Sequence, residues 1–279
     1  MISKGVKHML VATFFFSLMN FLVKLIGHIP SYEVVFFRCL VSIVLSLFFL
    51  IKLKIPIWGN NKKYLILRGL FGIMALSMYF TTLQKIPLAS AVTIQYLSPI
   101  FTSIFAIWIL SEKLSWQQFA FFGVSFAGVA LLKGFDSNID NTYFILGLGA
   151  AIFSALAYNM VAKVRYTDHP YVVVFYFPLI GLPVTGAISF LNWVPPQGWD
   201  WLILLLIGVT TQIAQVNMTK ALQSENIATV SSIRYLGIIY ALLISVLYFG
   251  ETYTWLTVAG MALVVIGVVL NIRYRFKHK

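Results

Sequence analysis

The sequence predicts an all-α polytopic membrane protein with ten transmembrane helices in two inverted five-helix repeats. Three observations predict it. First, the 279 residues are 60% hydrophobic and only 10% charged, with a mean hydropathy of +0.90. Soluble domains are about 25% charged, so a water-facing fold of this size would lack polar surface to cover it, and its solvent is lipid. Second, apolar runs of bilayer-crossing length recur ten times. Third, distinctive residues recur at one gapless offset: Glu251 lies 139 positions after Glu112.

A membrane helix needs about 20 apolar residues. Runs separated by charged or Pro/Gly/Asn-bearing turns place helices near 7–26, 33–51, 63–83, 88–110 and 116–132 in the first half. The second half follows with 143–163, 171–191, 200–220, 227–249 and 254–272. The first run follows basic residues, as a secretory signal does. It continues past Asn20 for a full span and lacks a small-residue cleavage site, so it is expected to stay as the first helix. Pro99 in helix 4, and Pro178 with Pro183 in helix 7, are expected to kink their helices. Gly123, Ala127 and Gly128 in helix 5, with Gly260 and Gly267 in helix 10, allow close packing. Internal packing is the expected use, and the same residues leave room for a homodimer.

The same 139-residue shift pairs Trp116 with Trp255, Tyr96 with Tyr235, Gly128 with Gly267 and Ala89 with Ala228. It also pairs Asn20 with Asn159, Lys24 with Lys163, Tyr32 with Tyr171 and Pro56 with Pro195. The repeat units are therefore residues 1–139 and 140–279, five helices each. Five is odd, so the second unit enters the membrane upside down. Such inverted repeats are a transporter architecture, with the substrate site near the midplane at the repeat interface.

The chain carries 20 Lys and Arg against 8 Asp and Glu. In a soluble protein that balance suggests nucleic acid. No basic and aromatic interleaving on a polar surface supports that partner, so none is expected. Membrane topology explains the excess, because cytoplasmic loops collect Lys and Arg. With a cytoplasmic N-terminus, inside segments hold Lys4, Lys7, Lys52, Lys54, Lys62, Lys63, Arg68, Lys113, Lys163, Arg165, Lys220, Arg273, Arg275, Lys277 and Lys279. Outside segments hold Lys24, Lys85 and Lys133. Both termini are thus expected in the cytoplasm, and the expected location is a bacterial plasma (inner) membrane. The single cysteine, Cys39, rules out an internal disulfide and any multi-cysteine metal site. Neither a metal nor a cofactor is expected.

"PLASAVTIQYLSPIFTSIFAIWILSEKLSWQQFAFFGVSFAGVALL" and its second copy "IATVSSIRYLGIIYALLISVLYFGETYTWLTVAGMALVVIGVVL" share a plan. Each has a polar-small start, a tyrosine in the middle, a terminal glutamate, and a next helix bearing Trp and Gly. This plan resembles the EamA family of the drug/metabolite transporter superfamily, and Arg38 in "VVFFRCLVS" fits that family's second-helix arginine. The resemblance covers essentially the whole chain. It implies a ten-helix bundle whose helices 1, 3, 4, 6, 8 and 9 line a central cavity. Members include exporters of amino acids and other metabolites, and importers of riboflavin or S-adenosylmethionine. Ile238, after Gly237, stands where a second proline would match Pro99, so any hinge is expected to be asymmetric.

Polar residues concentrate on those six helices, where they face a cavity or bond neighbouring helices. The candidates for substrate contact are Asn20 on helix 1, Gln95 and Tyr96 on helix 4, and Tyr158 and Asn159 on helix 6. Helix 8 adds Gln212 and Gln215, and helix 9 adds Arg234 and Tyr235. Arg234 follows Asn226 by eight residues, about 12 Å into the span at 1.5 Å per residue. A charge at that depth costs roughly 2.5–3.5 kcal/mol on insertion scales and is a functional residue by default. Its guanidinium suits a carboxylate or phosphate, or alternatively backbone carbonyls. Its repeat partner is Gln95, so Gln95, Tyr96, Arg234 and Tyr235 form the expected centre of the site.

Arg38 lies five residues after Glu33, close enough to an interface to snorkel, and a structural role is expected. Glu112 and Glu251 end helices 4 and 9, where they are expected to cap helices 5 and 10. Lys24 and Lys163 end helices 1 and 6, where they suit the dipole and stand as gate candidates on opposite sides. All eight acids sit at span ends or in loops, so no intramembrane proton relay is visible. The motifs HExxH, GxSxG and the P-loop are absent, and no enzymatic activity is expected. The expected function is alternating-access transport of a small polar or amphiphilic metabolite, anionic or zwitterionic, such as an amino acid. Alternatives are an importer of a nucleotide-like or vitamin-type metabolite, an open pore, and a scaffold or sensor without flux.

Overall fold

The structure, a computed structural model, describes residues 3–111, 115–135, 139–224 and 233–277. Among the described residues it is all α-helical. The first half forms α1 (Lys4–Leu25), α2 (Ser31–Lys52), α3 (Lys62–Lys85), α4 (Leu88–Gln95), α5 (Ser98–Ile109) and α6 (Trp116–Phe135). The second forms α7 (Asn141–Lys163), α8 (Pro170–Leu191), α9 (Asp200–Ser224), α10 (Leu236–Leu247) and α11 (Trp255–Lys277). α4 and α5 continue one another as a single crossing, Leu88–Ile109. α10 is a described part of the ninth crossing, and the eleven helices given for the described residues fall in ten crossings. Local chemistry sets several starts. Ser3 accepts from Val6 N at 3.3 Å before α1, Asp140 accepts from Thr142 N at 2.7 Å before α7, and Pro170 opens α8.

The halves are interleaved around one core. α1 packs on α9, and its repeat partner α7 packs on α3, the repeat partner of α9. α2 packs on α8, and α6 on α11. Each of these contacts joins the first half to the second. The main apolar cluster does the same, running from Met19, Phe80 and Leu97 to Ile207, Tyr235 and Val264.

The α6–α11 pair shows the inversion directly. Gln118 Nε2 donates to Asn271 Oδ1 at 2.9 Å, and Ser125 Oγ donates to Val264 O at 3.3 Å. A Cβ added to Gly128 would stand 2.6 Å from Gly260 O. Rising numbers in α6 thus meet falling numbers in α11, so these repeat partners run antiparallel. Gly128, Gly260 and Gly267 serve this internal contact, where small residues let backbones approach. At the starts of the two helices, Trp116 and Trp255 are 83% and 89% exposed. That suits aromatic residues at a membrane interface.

The expected asymmetry of the hinge is corrected by the structure: crossings 4 and 9 both break, and at matching residues. In the first half Pro99 has no N–H to give the Gln95 carbonyl, and the helix turns at Tyr96 and Leu97. There Leu97 N donates to Ile94 O at 3.0 Å, and Ile100 N to Leu97 O at 2.9 Å, both tight three-residue bonds. The second half turns at Tyr235, with Ile238 N donating to Tyr235 O at 3.0 Å. No proline is needed because a side chain enters the ladder instead. The Tyr96 hydroxyl donates to the Arg234 carbonyl at 2.6 Å, an established way to kink a helix. Gly237 makes room, since a Cβ there would overlap Tyr96 Oη. Pro178 and Pro183, by contrast, lie inside a helix that runs through both of them.

Candidate functional site

The two broken crossings meet beside a central cavity of about 110 Å³. All six helices named by the resemblance reach it: Asn20 from α1, Tyr79 from α3, Gln95 from α4, Tyr158 from α7, Gln215 from α9, and Arg234 from the ninth crossing. α2 and α8 reach it as well, through Arg38 and Phe177.

Arg234 is held by aromatic faces. Its guanidinium carbon lies 5.1 Å from the Tyr158 ring centre and 5.8 Å from that of Tyr96. Nη2 stands 3.4 Å from Tyr158 Oη. Cation–π contact offsets part of the cost of burying the charge. Tyr235 packs behind, 5.2 Å from Tyr96 between ring centres, and is buried without lining the cavity.

The amides divide. Gln95 Nε2 donates to Ser154 Oγ at 2.7 Å, while its Oε1 has no hydrogen-bond partner among the described residues. Gln215 Oε1 is in the same condition. Gln212 is turned away, donating to Ser46 Oγ at 2.8 Å. The repeat partners Asn20 and Asn159 also diverge. Asn20 faces the cavity, whereas Asn159 Nδ2 donates to Thr102 O at 3.1 Å and Ala155 O at 3.0 Å.

Arg38 does not snorkel. It is 2% exposed, and its guanidinium carbon stands 4.4 Å over the Phe177 ring, which is its own repeat partner. Arg68 was expected among the cytoplasmic charges. It is instead 4% exposed, lines the cavity, and stands 5.3 Å from the same ring. α3 begins at Lys62, so Arg68 lies about 9 Å along it. A loop-end count cannot tell a charge that turns inward from one that turns to water. One sequence signal was available: Gly72 lies one turn further on. A Cβ there would overlap Arg68 Nη1 and the Phe177 ring. Among the described residues no Asp or Glu lines the cavity, so its three arginines set its charge.

A second cluster joins Lys24 to Glu251 and the start of α4. Lys24 Nζ lies 2.8 Å from Glu251 Oε1 and donates to Ile86 O at 2.7 Å. Glu251 Oε2 accepts Leu88 N at 2.9 Å, together with the hydroxyls of Ser245 and Tyr253. The expected cap on the following helix is therefore corrected. Glu251 caps α4, whose free amide N–H groups attract a carboxylate, while Thr254 Oγ1 accepts from Thr257 N before α11. Lys24 likewise reaches past its own helix end to crossings 4 and 9. Its repeat partner Lys163 donates to Ile109 O at 3.1 Å, and Glu112 lies outside the described residues.

Ten crossings, paired across an inverted repeat around an arginine-bearing cavity, define a helical membrane transporter. Residues 3–133 and 141–273 match the EamA-like transporter family, and the chain belongs to it. It is 29% identical over 272 residues to the pseudopaline exporter CntI of Pseudomonas aeruginosa (strain UCBPP-PA14), across 96% of each chain. It is 29% identical to solute carrier family 35 member G1 of Mus musculus, across 94% of this chain and 76% of that one. The S-adenosylmethionine uptake transporter of Rickettsia prowazekii (strain Madrid E) is 26% identical, across 88% of this chain and 84% of its own. A solved crystal structure aligns over 100% of both chains with a TM-score of 0.74 and 16% identity, and so shares the fold.

Proposed function

We propose that this transporter moves a small anionic or zwitterionic metabolite by alternating access, with Arg234 holding its negative group. One observation carries the reading: three arginines line the cavity, Arg38 and Arg68 buried and Arg234 partly so, and among the described residues no carboxylate does. Buried charges need compensation, and an anionic substrate supplies it. Tyr96 and Tyr158 flank Arg234 and offer ring faces to an apolar part of the same molecule.

Repeats 1–139 and 140–279 exchange conformations, opening one end of the cavity and then the other. The Lys24–Glu251 pair is the closure at the outer end. The charge bias supports that orientation in a bacterial inner membrane with both termini cytoplasmic. Removing the buried Arg68 from the fifteen inside charges leaves fourteen against three. With no carboxylate among the described residues of the cavity, transport runs as facilitated exchange, or a proton travels on the substrate's own carboxyl group.

The test is uptake and efflux by purified protein in vesicles, using a panel of amino acids and small carboxylic acids. Saturable transport of a carboxylate that falls at least tenfold in Arg234→Gln is the expected result. Carboxylate transport unchanged in that variant would remove Arg234 from the site.

A further inference from the structure

Arg38 and Arg68 have no part in holding Arg234 or in closing the bundle. They come from α2 and α3 and stand over one ring, that of Phe177 on α8. Both are almost wholly buried. Nε and Nη1 of Arg38, and Nε of Arg68, have no hydrogen-bond partner among the described residues. Two like charges placed together with vacant donors repel each other, and the Phe177 ring face offsets only part of that. A carboxylate or phosphate shared between the two guanidinium forks would fill those donors and remove the repulsion.

We infer that the Arg38–Arg68 pair is a second anion subsite in the same cavity, so that the transported molecule carries two negative groups, one here and one at Arg234. The inference rests on the proposed reading of the cavity as the transport site and adds a substrate class to it: a compact dianion. The cavity itself supports two poles. Arg234 lies between Tyr96 and Tyr158, and the pair lies over Phe177, yet all three arginines line the same space. The competing account is a structural pair satisfied by water, because a side pocket of about 10 Å³ behind it, also bordered by Gln212 and Gln215, has room for about one.

Calorimetric titration of the purified full-length protein separates these accounts. The probes are propionate, with one carboxylate; succinate, with two; and 2-phosphoglycolate, with a carboxylate and a phosphate. Whichever dianion matches the pair is expected to bind at least tenfold more tightly than propionate, and the two dianions show whether the second group is carboxylate or phosphate. Arg38→Gln and Arg68→Gln are expected to cut that preference below about threefold. Arg234→Gln is expected to weaken all three probes. The comparison among probes in the parent protein needs no variant, so it stands even if a substitution impairs folding. Equal binding of propionate and both dianions, still dependent on Arg234, would overturn the second subsite and leave the anion reading intact. Absence of binding by every probe would overturn both.

Discussion

At the residue scale, the site is a contest between desolvation and compensation. Arg234 has two ring faces and one tyrosine hydroxyl but no acid among the described residues, and Arg38 and Arg68 share a single ring. Gly72 tests how much that geometry matters. In Gly72→Ala a Cβ would overlap Arg68 Nη1 and the Phe177 ring. The guanidinium has to move, at about 1–3 kcal/mol for overpacking. Anion binding is expected to weaken several-fold with the fold retained, as read by titration and circular dichroism. The residue scale is also where the sequence was least legible. Arg234 stood out because it interrupts an apolar run well inside a span. Arg38 and Arg68 each lie within two turns of a helix start, where an interfacial or loop position looks equally natural. Gln212 and Asn159 were indistinguishable in sequence from Gln215 and Asn20, because helix rotation decides which amide faces the cavity.

At the element scale, the helix spans were readable to within about five residues at each described end, because lipid demands uninterrupted apolar runs with internally satisfied backbones; the expected start of the ninth span, near 227, lies outside the described residues. The break in crossing 4 was readable too, from Pro99. Its counterpart in crossing 9 was not, since its cause is the tertiary insertion of Tyr96 at Arg234 O. Tyr96→Phe deletes that hydrogen bond. A stability loss of about 0.5–1.5 kcal/mol is expected, with weakened anion binding as Arg234 loses its backbone anchor. Unchanged affinity would show that the break holds Arg234 in place without Tyr96. The α6–α11 seam gives a second test. Gly128 and Gly260 each face the other's carbonyl, and backbone atoms cannot step aside. Gly260→Leu is expected to lower the melting temperature strongly, while the conservative exposed change Leu247→Ile is expected to leave it nearly unchanged.

At the scale of the whole molecule, the inverted repeat interleaves the two halves around one cavity. Contacts between helices mostly join one half to the other, so the halves cannot shift without remaking the cavity. Lys24, Glu251 and the start of α4 tie crossings 1, 4 and 9 together at one end. Side-chain exposures of 12% and 17% leave this ion pair largely shielded from water. Removing one partner of a buried pair typically costs about 3–5 kcal/mol; this pair is partly exposed, so a smaller loss is expected, and on the proposed gate it falls on the conformation closed at that end. The two residues were visible in sequence as gate candidates, but their partnership was not: they lie more than 200 positions apart and only the packing unites them. Lys24→Gln and Glu251→Gln are each expected to shift the population toward the state open at that end, and the double variant is expected to add little to either single one, as measured by the rate of outer-side labelling. Additive effects would mean that the two side chains act independently.

The central claim is that one cavity opens to one side at a time. The direct measurement is labelling of Ala157→Cys, a cavity position, by a membrane-impermeant maleimide applied to either face, in a Cys39→Ser background free of other cysteines. Slow labelling from the outer face is expected with the Lys24–Glu251 pair intact. Labelling from that face is expected to speed up in Glu251→Gln while labelling from the inner face slows. Rapid labelling from both faces, indifferent to Glu251, would contradict alternating access and identify an open pore.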